Sequence, residues 1–261
     1  NSDSQKLEYW MGSAWMQIHT FSPNLNGGAR GVFFFGFDNS NNPKVVDFIT
    51  IPTQGNAIDF GDMTGNATFY GGAFSSHTRG VYFGGAPGGG RNEIQFITFS
   101  STGDSQDFGD LTGTIQYNPV GVSNQTRGVR CGGATVPTGS INILDFVTIA
   151  TEGNAVDFGD ETGSSSVEKQ GGLASTTRGI IAGGNGLGDI ISFVTIMTTG
   201  NTQDFGDLTG SVTANSGGGN ATRGIIAHGY GNNVLDFITI ATTGNATDFG
   251  DQLQSVYGHA S

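Results

Sequence analysis

One distance in this chain never changes. From Phe48, Phe96, Phe146, Phe193 and Phe237 to Asp59, Asp107, Asp157, Asp204 and Asp248 there are eleven residues every time. A constant length predicts two strands joined by a tight turn, because an insertion would shift the pairing register. The turn falls at "TQGN", "STGD", "TEGN", "TTGN" and "TTGN", with Gly55, Gly103, Gly153, Gly200 and Gly244 expected to supply positive φ.

The Asp that ends each interval opens the word Asp-Phe-Gly-Asp, as in "GNAIDFGDMTG" (55–65). A metal-binding triplet of a kinase would be needed once, at one pocket, and the other kinase signatures are missing. Five copies define a structural repeat, which has to be read before anything else. Each unit begins with an Arg-Gly and an apolar run, "ARGVFFFG", "TRGVYFGG", "TRGVRCGG", "TRGIIAGG" and "TRGIIAHG". The interval from that Arg to the Phe varies (18, 17, 19, 15 and 14 residues), which places an exposed loop there.

A small-residue segment after each word, such as "NATFYGGAFSSH" (66–77), reads as a fourth strand leading to the next Arg. Four short strands in about 47 residues, repeated, is the arithmetic of a β-propeller blade. "GVFFF" and "FITI" are apolar at successive positions, which requires both sheet faces to be covered. The expected fold is all-β: a five-bladed propeller of four-stranded antiparallel blades over 29–261, with repeats at 29–77, 78–125, 126–176, 177–221 and 222–261. Residues 1–28 form an N-terminal extension. A β-solenoid is the competing architecture, but it needs parallel rungs in place of a fixed hairpin.

The 46 glycines among 261 residues show no collagen period, so they belong to turns and close backbone contacts. A net charge of −12 leaves no basic footprint for nucleic acid. No apolar run is long enough to span a membrane, and the first residues lack the pattern of a signal peptide. The single cysteine, Cys131, excludes an internal disulfide and a cysteine-based zinc site, and reads as a small core residue. No cofactor is implied. Arg30, Arg79, Arg127, Arg178 and Arg223 are expected to fork onto an acidic residue of their own or a neighbouring blade, the obvious candidates being the two Asp of each word, led by Asp59, Asp107, Asp157, Asp204 and Asp248. Two alternatives are a ring of Arg catching an anion and paired Asp holding Ca²⁺, although these loops lack the ligand density of a calcium loop.

The double Gly after an apolar strand resembles kelch-class propellers. More closely, "TRGV..GG" with "DFITI…TTGNATDFGD" resembles a repeat of virion structural proteins in tailed phages of cyanobacteria and other aquatic bacteria. "KLEYWMGSAWMQI" (6–18) resembles a short hairpin of phage fibre proteins. The third linker, "SSSVEKQGG", and Phe37 and His228 in place of Gly depart from the commonest repeat. The resemblance implies a location on the virion, contact with other virion proteins and an oligomer.

Three functional classes follow: a fibre or appendage propeller recognising a host-surface glycan or protein, a passive decoration of capsid or tail, and a glycan-active enzyme. The four His share no motif and no carboxylate pair stands apart from the repeat, so a non-enzymatic role is expected. The loops at 37–45, 86–93, 134–143, 185–190 and 229–234 differ in length and sequence, whereas the opposite face repeats one Gly turn. Recognition is therefore expected on the loop face, through Phe37, Lys44, Arg91 and Tyr230.

Overall fold

The computed structural model describes residues 8–10, 15–17, 30–34, 44–65, 69–86, 90–135, 139–164, 167–168 and 170–256. A short hairpin, β1 (Glu8–Trp10) and β2 (Trp15–Gln17), comes first. Five antiparallel sheets then form the five blades of a β-propeller. Blade 1 comprises β3 (Arg30–Phe34), β4 (Val45–Thr50) and β5 (Ile58–Asp62). Blade 2 comprises β6 (Gly72–Ser75), β7 (Arg79–Phe83), β8 (Arg91–Thr98) and β9 (Gln106–Ile115). Blade 3 comprises β10 (Val120–Ser123), β11 (Arg127–Cys131), β14 (Ile143–Thr148) and β15 (Val156–Asp160), with a small hairpin β12 (Ala134–Thr135) and β13 (Gly139–Ser140) in one loop. Blade 4 comprises β16 (Gly171–Ala174), β17 (Arg178–Ala182), β18 (Ile190–Thr195) and β19 (Gln203–Asp207). Blade 5 comprises β20 (Ser216–Gly219), β21 (Arg223–Ala227), β22 (Asn232–Thr239) and β23 (Thr247–Val256). Neighbours in each sheet follow chain order, as an up-and-down blade requires.

The small-residue segment opens a blade and does not close one. β6 pairs with β7, β10 with β11, β16 with β17 and β20 with β21, so each is the first and innermost strand. The expected repeat boundaries are therefore offset by one strand. Sterics explain the composition, because inner strands converge on the axis. A Cβ on Gly217 would lie 2.7 Å from the Gly172 carbonyl oxygen of the neighbouring blade. In blade 1 the corresponding stretch lies outside the described residues, as does closure by an N-terminal strand.

The invariant spacing produces a bulge. In blade 1, Asp47 faces Asp59 while Val46 faces Gly61, leaving Phe60 as the extra residue, and the other four blades shift register at the same place. The bulge turns each word's Phe onto the Phe of the preceding strand, with ring centroids 5.8–6.2 Å apart in all five blades. The hydrogen-bonded turn sits earlier than expected, with Thr53 N–H on the Thr50 carbonyl and the equivalent bond in every blade.

The Gly-Asn that follows grips the preceding blade. Gly103, Gly153, Gly200 and Gly244 donate N–H to the carbonyls of Phe60, Phe108, Phe158 and Phe205, each at 2.7 Å. The next side chain (Asp104, Asn154, Asn201 or Asn245) accepts from N–H of Asp62, Asp110, Asp160 or Asp207 at 3.0–3.1 Å. The apolar core lies between blades in four clusters, one at each consecutive junction. Phe48, Phe60 and Met63 of blade 1 meet Tyr82 and Ile97 of blade 2, and the pattern recurs through blade 5.

The repeated Arg does not take the expected carboxylate. Each guanidinium stacks on the Phe ring of its own blade at 4.0–4.7 Å. Arg30, Arg79, Arg127 and Arg178 then donate Nη1–H to the carbonyls of Phe99, Ile149, Ile196 and Ile240 in the next blade, at 2.6–3.2 Å. Asp59, Asp107, Asp157, Asp204 and Asp248 are exposed on the outermost strands. An outer-edge carboxylate cannot reach an Arg that starts the second strand. Among the described residues the only carboxylate partner of these Arg is Glu152, 3.3 Å from Arg79.

Candidate functional site

The connections from the outer strand of one blade to the inner strand of the next emerge on the same face as the variable loops. At that corner the chain must reverse toward the axis. The second residue before the inner strand pays in backbone strain: Tyr70, Asn118 and Ala214 have φ of 63°, 49° and 55°. Successive corners are tied together, Asn118 N–H donating to the Tyr70 carbonyl at 2.8 Å. The rings of Tyr70 and Tyr117 lie 5.7 Å apart, and Gln116 Nε2 donates to the Tyr117 hydroxyl at 2.9 Å.

These corners and the inner strands surround a cavity of about 490 Å³ on the axis. Among the described residues its wall carries aromatic rings from Phe33, Phe34, Tyr70 and Tyr82, and no charged side chain. The residue immediately before the inner strand is Gln170 in blade 4 and Asn215 in blade 5, and both line the cavity. Both are buried. Asn215 Nδ2 donates to the Ala182 carbonyl at 2.8 Å, but its Oδ1 has no partner, and neither amide atom of Gln170 has one. A buried unpaired polar atom costs about 1–3 kcal/mol, so these groups gain from any ligand that supplies hydroxyls. Aromatic faces beside amide donors and acceptors suit a neutral, polyhydroxylated molecule.

The residues expected to recognise a partner do not converge. Lys44 is exposed just before β4, and Arg91 is the half-buried first residue of β8, not a loop residue. Tyr230, 70% exposed and with φ of 54°, lines a separate cavity of about 480 Å³ with Asn185, Ser211, Thr213 and Asn232. Phe37 lies outside the described residues. Tyr230 borders that second cavity and, among the described residues, none of the four lines the axial mouth, so the axial mouth is the site sequence reasoning missed. Gly71, Pro119, Gln170 and Asn215 hold the position directly before the described inner strands, in a linker that varies throughout, so no motif marks them.

Other buried polar groups serve the junctions. Asp236 accepts from the Thr209 hydroxyl at 2.7 Å and contacts His228 Nε2 at 2.9 Å. Arg130 pairs with Asp145, and Glu161 accepts from Ser192 and Thr202 hydroxyls at 2.8 Å. Burial first, and then the Glu161 charge, push the Cys131 thiol far above its ordinary range. Among the described residues no three His, Cys, Asp or Glu side chains are grouped to hold a metal ion. No family model matches the chain, and no curated protein matches its sequence.

Proposed function

We propose that this chain is a non-enzymatic recognition propeller of a phage virion appendage, which binds a neutral host-surface glycan through the axial mouth of its loop face. The virion setting comes from the resemblance of the repeat. The ligand class rests on one observation: the unpartnered Gln170 amide and Asn215 Oδ1 line a cavity with aromatic rings and, among the described residues, no charged side chain. Sugar hydroxyls satisfy such amides while their C–H faces stack on Tyr70 and Tyr82. The loops of unequal length belong to the same face by topology and supply asymmetry, which a partner of fixed shape requires.

A glycan array, followed by titration calorimetry with the best neutral oligosaccharide, tests the reading. Wild-type protein should bind, and Gln170→Leu should lose roughly tenfold in affinity, the equivalent of one unsatisfied hydrogen-bonding group. Its melting temperature should not fall, because an unpaired amide has been removed. Absence of binding across neutral and charged glycans would favour a passive decorating role instead.

A further inference from the structure

Among the described residues four of the five possible junctions between blades are built, and none joins blade 5 to blade 1. The residues that the clasp buries elsewhere stand exposed at the outer faces of blades 5 and 1. Phe249 is 54% exposed, whereas its counterparts Phe60, Phe108, Phe158 and Phe205 are 2–3% exposed. Ile51 is 62% exposed, against at most 1% for Ile149, Ile196 and Ile240. Phe33, which also lines the axial cavity, is 56% exposed, against at most 8% for Tyr82, Arg130, Ile181 and Ile226. Nothing lies within 4 Å of a Cβ built on Gly250, whereas at Gly61, Gly109, Gly159 and Gly206 that Cβ would meet the next blade's turn at 2.5 Å. Arg223 stacks on Phe237 but reaches no carbonyl of a following blade among the described residues. Gly55 alone among the turn glycines lacks the positive φ of its docked counterparts, which lies between 143° and 154°.

The two open faces are complementary halves of one junction. Blade 5 offers the carbonyl of Phe249, the N–H of Asp251 and the Arg223 fork. Blade 1 offers the N–H of Gly55, the side chain of Asn56 and the carbonyl of Ile51, the same set that engages four times inside the chain. The blade 5 face also departs from the repeat in a telling place. Thr64, Thr112, Thr162 and Thr209 each hydrogen-bond the following blade through the hydroxyl. The fifth copy has Leu253 there, fully exposed at 103%. An apolar side chain at that spot gains by being covered and loses by facing water.

We infer that the open face of blade 5 docks the open face of blade 1 of a second copy, head to tail, through this clasp. The four formed junctions fix how each sheet is set against the next, and in that setting no hydrogen bond or core cluster among the described residues joins the first sheet to the fifth. Joining them within one chain would disturb four satisfied clasps, whereas joining two chains disturbs none. The contact is heterologous, so it propagates into a ring or a filament, not a closed two-fold dimer.

Two substitutions at exposed sites test this without threatening the fold: Leu253→Glu on the blade 5 face and Ile51→Glu on the blade 1 face. Each places a carboxylate where the docked junction would bury an apolar side chain. Sedimentation velocity of wild-type protein across the micromolar range should show species larger than the 26.9 kDa monomer, increasing with concentration. Each variant alone should stay monomeric, because one face is blocked. An equal mixture should give a 1:1 heterodimer and nothing larger, because one compatible pair of faces remains. A wild type that is monomeric throughout would overturn the proposal and assign the two faces to each other or to the chain's own ends. Association unaffected by both substitutions would equally overturn it, by placing the contact elsewhere.

Discussion

The Arg that opens each of the first four repeats does two jobs with one side chain. Its flat face covers an aromatic ring, and its edge donates to a carbonyl one blade away. Losing both contacts at a half-buried site is worth about 1–2 kcal/mol, so Arg127→Ala should lower stability in chemical denaturation by that amount. Arg223→Ala should cost less than half as much, because Arg223 has no following carbonyl to hold; equal losses at both sites would refute the division of labour. The glycine of the word is constrained differently. Gly159 and Gly250 share a positive φ, 145° and 133°, but only Gly159 has a neighbouring turn where a Cβ would go. Both alanine variants carry the backbone penalty of about 1–3 kcal/mol, and Gly159→Ala should be clearly the more destabilising in the same denaturation assay. Cys131 is fully buried and its thiol is held protonated by burial. A maleimide should label it only at the rate of unfolding. Because the unfolded thiol ionises near its ordinary value of 9.0 and the folded one does not, this group withdraws stability as pH rises through that value.

At the scale of the element, a hairpin in every unit was legible from the unchanging eleven-residue spacing, but the bulge was not. It moves the turn earlier and creates the pairs Phe48–Phe60 to Phe237–Phe249. The position of the small-residue strand was not legible, since a strand between two words pairs equally well on paper with either. Its glycines decide the matter only when a neighbouring inner strand is brought against them. The partner of the Arg was misread for a related reason: sequence displays carboxylates but hides backbone carbonyls. The β12–β13 hairpin in the third loop escaped notice because two-residue strands carry no periodicity. Neither Gln170 nor Asn215 belongs to a motif, and only convergence on the axis makes them a site. Asn215 tests the corner they occupy. Asn215→Ala removes a bond to the Ala182 carbonyl and should lower the melting temperature by a few degrees, consistent with about 1 kcal/mol in a chain of this size.

The whole molecule is one junction used four times, with a recognition mouth where the corners meet and an unused half-junction at each side. Stability therefore resides between blades, not within them, and the loop face varies because none of the clasps passes through it. Hydrogen exchange read amide by amide, on protein dilute enough to be monomeric, probes that claim most directly. The turn amides of Gly103, Gly153, Gly200 and Gly244, each held at 2.7 Å by the preceding blade, should exchange slowly, while that of Gly55 exchanges at the rate of an open turn. Equal protection at all five would contradict the account, because it would mean that the first blade is already gripped like the others.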